Sequence, residues 1–215
     1  MNYQKLFEIK KVQLRFQEFN NLENNKSLFF FTDRNKIGDL NQVLKNLPKK
    51  TCIIFREYDL LTKEREELAL KYFKISKRLG YNFLVGKDYS LALKIKCDGV
   101  HYSDYDLKNS LFKICYSCKK NNLIFSFALH NSKNLSYLRK LKPDNVFLSP
   151  IFKTSSHKNQ RPLGLFYYLK IVKVFNKKSD KNIFFPLGGI DLQNLRRLNN
   201  IKILGFGAID FFKNL

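Results

Sequence analysis

Eight short apolar runs recur along 215 residues, at 28–31, 51–55, 81–85, 98–101, 123–129, 145–148, 183–187 and 201–205. No other feature restricts the chain's fold as strongly. Runs such as Leu28-Phe-Phe-Phe31 lack the polar alternation of a strand with one wet face, so they read as parallel strands covered on both sides. Between them, apolar residues recur at helical spacing. Ile37, Leu40, Val43, Leu44 and Leu47 form one such face, ended by Pro48, and Leu68, Tyr72, Ile75 and Leu79 form another, stopped by Gly80. Leu135, Leu138 and Leu141 make a third, and Leu165, Leu169 and Val172 a fourth. Asp191 stands where it would cap a last short helix carrying Leu192, Leu195 and Leu198. Eight strands alternating with helices on so short a chain predict a single-domain α/β protein, a closed (β/α)8 or TIM barrel with few insertions. An open doubly wound sheet would carry a glycine-rich turn after its first strand, and Phe31-Thr-Asp-Arg34 has none. The barrel is expected over 28–215, preceded by a charged, partly helical extension over 1–27.

Composition narrows the function classes. With 44% hydrophobic and 15% aromatic residues the chain can fill a core. No apolar run approaches the roughly 20 residues of a membrane helix, and the N-terminal residues lack the apolar centre of a signal peptide. A cytoplasmic protein is expected. The formal charge of +22 would suit nucleic acid, yet its lysines are spread along the whole chain and no nucleic-acid-binding motif appears. It is read as biased composition that also attracts phosphorylated substrates, with a non-enzymatic basic binding protein as the minor alternative. Cys115 and Cys118 have the spacing of half a zinc site, but no second pair completes it. With Cys52 and Cys97 they read as structural thiols.

In a barrel the polar groups that matter lie at the carboxyl ends of the strands. Asp33, Arg34, Arg56, Glu57, Lys87, Asp88, His101, Asp106 and His130 fall there, followed by Thr154, Ser155, Ser156 and His157. The stretch 182–210 adds two glycine turns, Gly188-Gly189 and Gly207-Ala208. Glycines just past strand ends let backbone amides approach an anion, and paired turns after strands seven and eight form a phosphate cradle in many barrels. The plainer reading is two turns without a ligand. His130 is the member of this set able to move a proton near neutral pH without help.

Five segments in order resemble the thiamine phosphate synthase/TenI family. They are Asp98-Gly-Val-His101, Ala128-Leu-His130, the loop from Ser149 to His157, Leu187-Gly-Gly-Ile190 and Gly205-Phe-Gly-Ala208. The resemblance spans about 28–210. It implies a TIM barrel holding a thiazole phosphate on the glycine turns at Gly188, Gly189, Gly207 and Ala208. Synthases of this kind join that thiazole to hydroxymethylpyrimidine pyrophosphate, with Mg2+ assisting departure of pyrophosphate. TenI-type members instead tautomerise a thiazole carboxylate phosphate with a histidine, here His130. By the same resemblance Arg56 matches a pyrophosphate-binding arginine, and Asp106 one of two magnesium-binding acids. Thr154, Ser155, Ser156 and His157 match a substrate-binding loop. Departures are equally specific. Tyr58 replaces a lysine, and Gly86-Lys87 stands where an Asn-Asp pair supplies the other acid, so Lys87 is expected to meet the pyrophosphate directly. The partners implied are small phosphorylated thiazole and pyrimidine substrates.

Overall fold

The computed structural model describes residues 7, 8, 11, 28–154, 161–176, 183–199, 201, 203–213 and 215. The extension expected over 1–27 therefore lies outside the described residues, apart from Phe7, Glu8 and Lys11, which are helical. Eight parallel strands run β1 Leu28–Phe31, β2 Cys52–Phe55, β3 Asn82–Gly86, β4 Gly99–Ser103, β5 Ile124–Leu129, β6 Asn145–Leu148, β7 Ile183–Pro186 and β8 Phe206–Ala208. They form one sheet in the order β7-β6-β5-β4-β3-β2-β1-β8. Among the described residues one parallel bridge, Leu187 to Gly207, joins its two ends and closes the barrel. The helices between strands are α1 Arg34–Ile37, α2 Leu40–Asn46, α3 Thr62–Arg78, α4 Tyr89–Ile95, α5 Asn109–Lys120, α6 Leu135–Leu141, α7 Gly164–Asn176 and α8 Leu195–Asn199. No described helix is long and apolar enough to cross a membrane.

The strands are apolar throughout because each has two faces to bury. Alternate residues split into two clusters. Phe29, Phe31, Cys52, Ile54, Leu84, Ala128, Phe147 and Phe185 fill the barrel interior, whereas Leu28, Phe30, Ile53, Phe55, Phe83 and Phe125 meet the helices outside. This split follows from the two-residue strand period. The interior is built largely of phenylalanine. Phe147 lies edge-on to Phe29 and Phe31 at 4.9 and 5.0 Å, and stacks on Phe185 at 5.5 Å.

Two expectations shift. The first helical face is not continuous: Gly38, at φ 80°, ends α1, and the Asp39 carboxylate accepts from the Asn41 amide to start α2. Its apolar positions are nonetheless buried as the spacing required. The eighth strand lies at Phe206–Ala208 rather than 201–205. Pairing with β1 sets its place, with Leu28 opposite Phe206 and Phe30 opposite Ala208. Phe206 and Ala208 then face the helices, Gly207 faces the phenylalanines, and Ile203 packs into the outer core. Cys115 and Cys118 are buried on α5, with the Cys115 thiol 3.0 Å from the Leu141 carbonyl. Burial pushes Cys97 to about 11 and Cys118 to about 12.

Candidate active site

A cavity of about 200 Å³ opens at the carboxyl ends of the strands. Its floor is the top of the interior cluster. The His101 ring stands edge-on to Phe31 at 5.1 Å and to Phe147 at 5.7 Å, with Nδ1 2.8 Å from Ser126 Oγ. Both residues occupy the inward phase of adjacent strands, which brings the two polar groups together inside an apolar barrel. Burial, then the nearby charges of Arg56, His130 and Lys87, push His101 down to about 3. It is a neutral imidazole at physiological pH.

One wall is cationic. Arg56, directly after β2, donates from Nε to the Thr32 carbonyl at 3.0 Å and pairs with Asp33 at 3.5 Å. Its backbone amide donates to Thr32 Oγ1 at 3.0 Å, so the end of β1 aims the guanidinium. Lys87, directly after β3, also lines the cavity, its ammonium 2.8 Å from Asp106 and 5.3 Å from the Tyr58 ring centre.

The next wall is a histidine–aspartate pair. His130 follows β5, and its Nδ1 lies 2.9 Å from Asp104 Oδ1, which also accepts from the His130 amide at 3.0 Å. Asp104 Oδ2 accepts from the Asn131 amide at 2.8 Å and from Asn134 Nδ2 at 3.1 Å. Burial would raise this carboxyl, but the hydrogen bonds from His130, Asn134 and Asn131 outweigh it and hold it below the usual range. The pairing sets the Nδ1–H tautomer, and Tyr105 stacks on the ring at 4.5 Å.

The opposite rim is the β7 turn. Gly188 and Gly189 both line the cavity and both lie in the left-handed region, at φ 91° and 68°. The loop after β6 is laced onto them: the Ile151 amide donates to the Leu187 carbonyl at 2.8 Å, and the Phe152 amide to Gly188 at 3.1 Å. A side chain at Gly189 would run into the carbonyls of Lys153 and Phe152. Loop packing and φ therefore require glycine there, whatever the turn binds.

Of the expected site residues, Arg56, Lys87, His130, Thr154, Gly188 and Gly189 come together around one cavity. Ser155, Ser156 and His157 lie outside the described residues. Gly207 and Ala208 lie within β8 rather than in a turn beyond it, and Ile209 and Asp210 line the cavity in their place. A Cβ on Gly207 would stand 2.7 Å from Phe31 Cε2 and 3.1 Å from Phe147 Cε1, so this glycine makes room for interior rings. Asp106 does not offer a magnesium site. Its Oδ1 meets the Lys87 ammonium, and its Oδ2 accepts from the Ser103 amide and hydroxyl at 2.9 and 2.7 Å. Mg2+ takes one or two carboxylates together with waters and substrate phosphates, and here both oxygens of Asp106 are already engaged, one of them by an ammonium. The donor set does not fit the ion. Asp104 was missed at the sequence level. The signal available was an acid one residue beyond β4, beside a histidine one residue beyond neighbouring β5.

A parallel eight-stranded barrel with cations and a glycine turn ringing the open ends of its strands belongs to the TIM-barrel class. Residues 28–210 match the family model described as "Thiamine monophosphate synthase", and the chain belongs to that family. It is 30% identical over 188 residues to "Putative thiamine-phosphate synthase 2" of Aquifex aeolicus (strain VF5), covering 86% of this chain and 96% of that one. It is 28% identical to the thiamine-phosphate synthase of Helicobacter pylori (strain HPAG1) over 136 residues, 63% of this chain and 59% of that one. Among solved structures, a thiamine phosphate pyrophosphorylase from Pyrococcus furiosus superposes with TM-score 0.72 at 24% identity, covering 88% of each chain. That likeness concerns the fold.

Proposed function

We propose that this protein joins a thiazole phosphate to hydroxymethylpyrimidine pyrophosphate, giving thiamine phosphate and pyrophosphate. The observation that carries the reading is one cavity lined by Arg56 and Lys87 on one side and by the Gly188-Gly189 turn on the other. Family membership supports assigning both sides to phosphorylated substrates.

The methylene carbon–oxygen bond of the pyrimidine breaks, and its electron pair leaves with pyrophosphate. The ring nitrogen of the thiazole then bonds to the methylene carbon. Arg56, oriented by Thr32 and Asp33, and Lys87 offset the charge that develops on the departing group. Cations fixed in a cavity wall do this more effectively than solvent that must reorient. The thiazole phosphate sits on amides of the Gly188-Gly189 turn, with Thr154 beside it, so the two reactants are held together. His101 stays neutral between them and offers a polar edge without adding charge. His130, its Nδ1 held by Asp104, lines the same cavity and is the group there able to exchange a proton with the reactants.

Because Asp106 is committed to Lys87 and Ser103, no step is assigned to a magnesium ion. The test is direct. Purified protein given both substrates should form thiamine phosphate, and no product in any buffer condition would overturn the assignment. The His130–Asp104 pair would also suit a tautomerase, which would turn over a thiazole carboxylate phosphate alone.

A further inference from the structure

We propose that the Lys87–Asp106 ion pair is a built-in counter-ion occupying the place of a divalent cation, so that the site takes the uncomplexed diphosphate and is opposed by magnesium. The inference rests on the proposed coupling reaction, which puts a diphosphate beside Arg56 and Lys87.

Lys87 adopts φ 59°, a left-handed conformation unusual for a lysine. Its amide donates to the His101 carbonyl at 2.8 Å, which pins the backbone in that state. Lys50, Lys96 and Lys142 adopt the same region elsewhere, and at Lys87 the pinned backbone starts the side chain at the cavity wall. The ammonium lines the cavity, while Asp106 sits behind it as its partner.

The surroundings are built for this cation and leave no room for a carboxylate cage. A Cβ at Gly86 would collide with the Tyr58 hydroxyl and lie 2.9 Å from the Phe55 carbonyl, so residue 86 cannot contribute a ligand. Tyr58 instead turns its ring face to the Lys87 ammonium. Arg65 also packs on this tyrosine, its guanidinium 5.6 Å from the ring centre, and donates to the Gly86 carbonyl at 2.7 Å. Asp88, the other nearby acid, is committed as well. It pairs with Arg65 at 3.1 Å and accepts from the Leu91 amide at 2.9 Å to start α4. Both oxygens of each carboxylate are already engaged, and each carboxylate is neutralised by a side chain of this protein.

A free diphosphate meets Lys87 and Arg56 as its counter-ions. Its magnesium complex would bring a divalent cation against the ammonium, and like charges in close contact disfavour that form. Calorimetric titration of inorganic pyrophosphate into the full-length protein decides the matter. In EDTA the wild type should bind pyrophosphate, and magnesium in excess over the titrant should weaken binding on the order of tenfold. Lys87→Gln should lose most of the EDTA binding. Lys87→Asp, tolerated at this φ, sets two carboxylates side by side and should bind pyrophosphate only with magnesium. Circular dichroism confirms that both variants are folded. Wild-type binding that requires magnesium, no wild-type binding in either buffer, or an Asp variant that responds to the metal as the wild type does, would each overturn the inference. Thiamine phosphate formed only with magnesium would also overturn it and leave the coupling reaction standing. Pyrophosphate bound in EDTA without product under any condition would remove the coupling reaction and leave the metal-free diphosphate site.

Discussion

Gly207→Ala separates packing from ligand binding at the barrel's seam. The added carbon would lie 2.7 Å from Phe31 Cε2, 3.0 Å from Leu187 Cδ1 and 3.1 Å from Phe147 Cε1. Carbon pairs rest near 3.5–4.0 Å, so three buried side chains must each withdraw by roughly 0.5–1 Å. All three neighbours belong to the interior cluster, where Phe147 is already wedged against Phe29 and Phe185. Overpacking of this kind costs about 1–3 kcal/mol. For a chain of this length that is a fall in Tm of roughly 2–12 °C. Thermal unfolding followed by circular dichroism measures it, alongside titration with thiazole phosphate at a temperature where the variant is folded. The expected result is a lower Tm with at most a modest loss of affinity, because Gly207 itself faces the phenylalanines, while Phe31 and Leu187, which must shift, also line the cavity. An unchanged Tm with lost affinity would refute this and return Gly207 to the phosphate site.

Arg56→Ala should lower kcat by about 10²–10³-fold, the scale for losing one charge-stabilising donor; steady-state thiamine phosphate synthesis with turnover unchanged would exclude the arginine. Asp104→Asn keeps the shape of the His130 partner but removes its charge, so the pH profile of kcat should shift while KM for thiazole phosphate holds, and parallel profiles for variant and wild type would leave Asp104 a structural role only. His101 has a folded value of about 3, below its ordinary 6.5, so the unfolded chain binds the extra proton in between. Stability from this group is whole above about 6.5 and is lost as pH falls toward 3, on the order of a few kcal/mol. Urea midpoints between pH 7 and 4 should therefore fall less steeply in His101→Gln than in the wild type, and equal slopes would contradict it. Cys97 and Cys118, buried and pushed to about 11 and 12, should react with a thiol reagent only as fast as the protein unfolds, and immediate labelling of native protein would show otherwise.

Local chemistry carried much of the fold. Leu28-Phe-Phe-Phe31 is apolar at every position because helices cover one side of β1 and facing strands the other, and that double burial is visible without coordinates. Pairing decided the end of the chain instead. The run at 201–205 has the composition of a strand, yet the register with Leu28 and the bridge to Leu187 place β8 at Phe206–Ala208. A strand boundary set by partners far away in sequence leaves little local trace.

The site divides the same way. Which residues stand at strand ends follows from the alternation alone, so Arg56, Lys87 and His130 could be named from the sequence. Residue type alone also marked Gly188 and Gly189 as turn positions. Who pairs with whom could not be read. Asp106 looks like a metal ligand in a one-dimensional comparison and becomes the lysine's partner only when β3 and β4 lie side by side. Asp104 gains meaning when β4 meets β5 and sets it against His130. Gly207 reads as a turn glycine in the sequence, and only the closed barrel shows three side chains packed over its α-carbon. Sequence determines which groups each element can present, because period and propensity are local. The tertiary structure alone decides what those groups spend their charges and hydrogen bonds on, because a carboxylate's partner depends on distance in space.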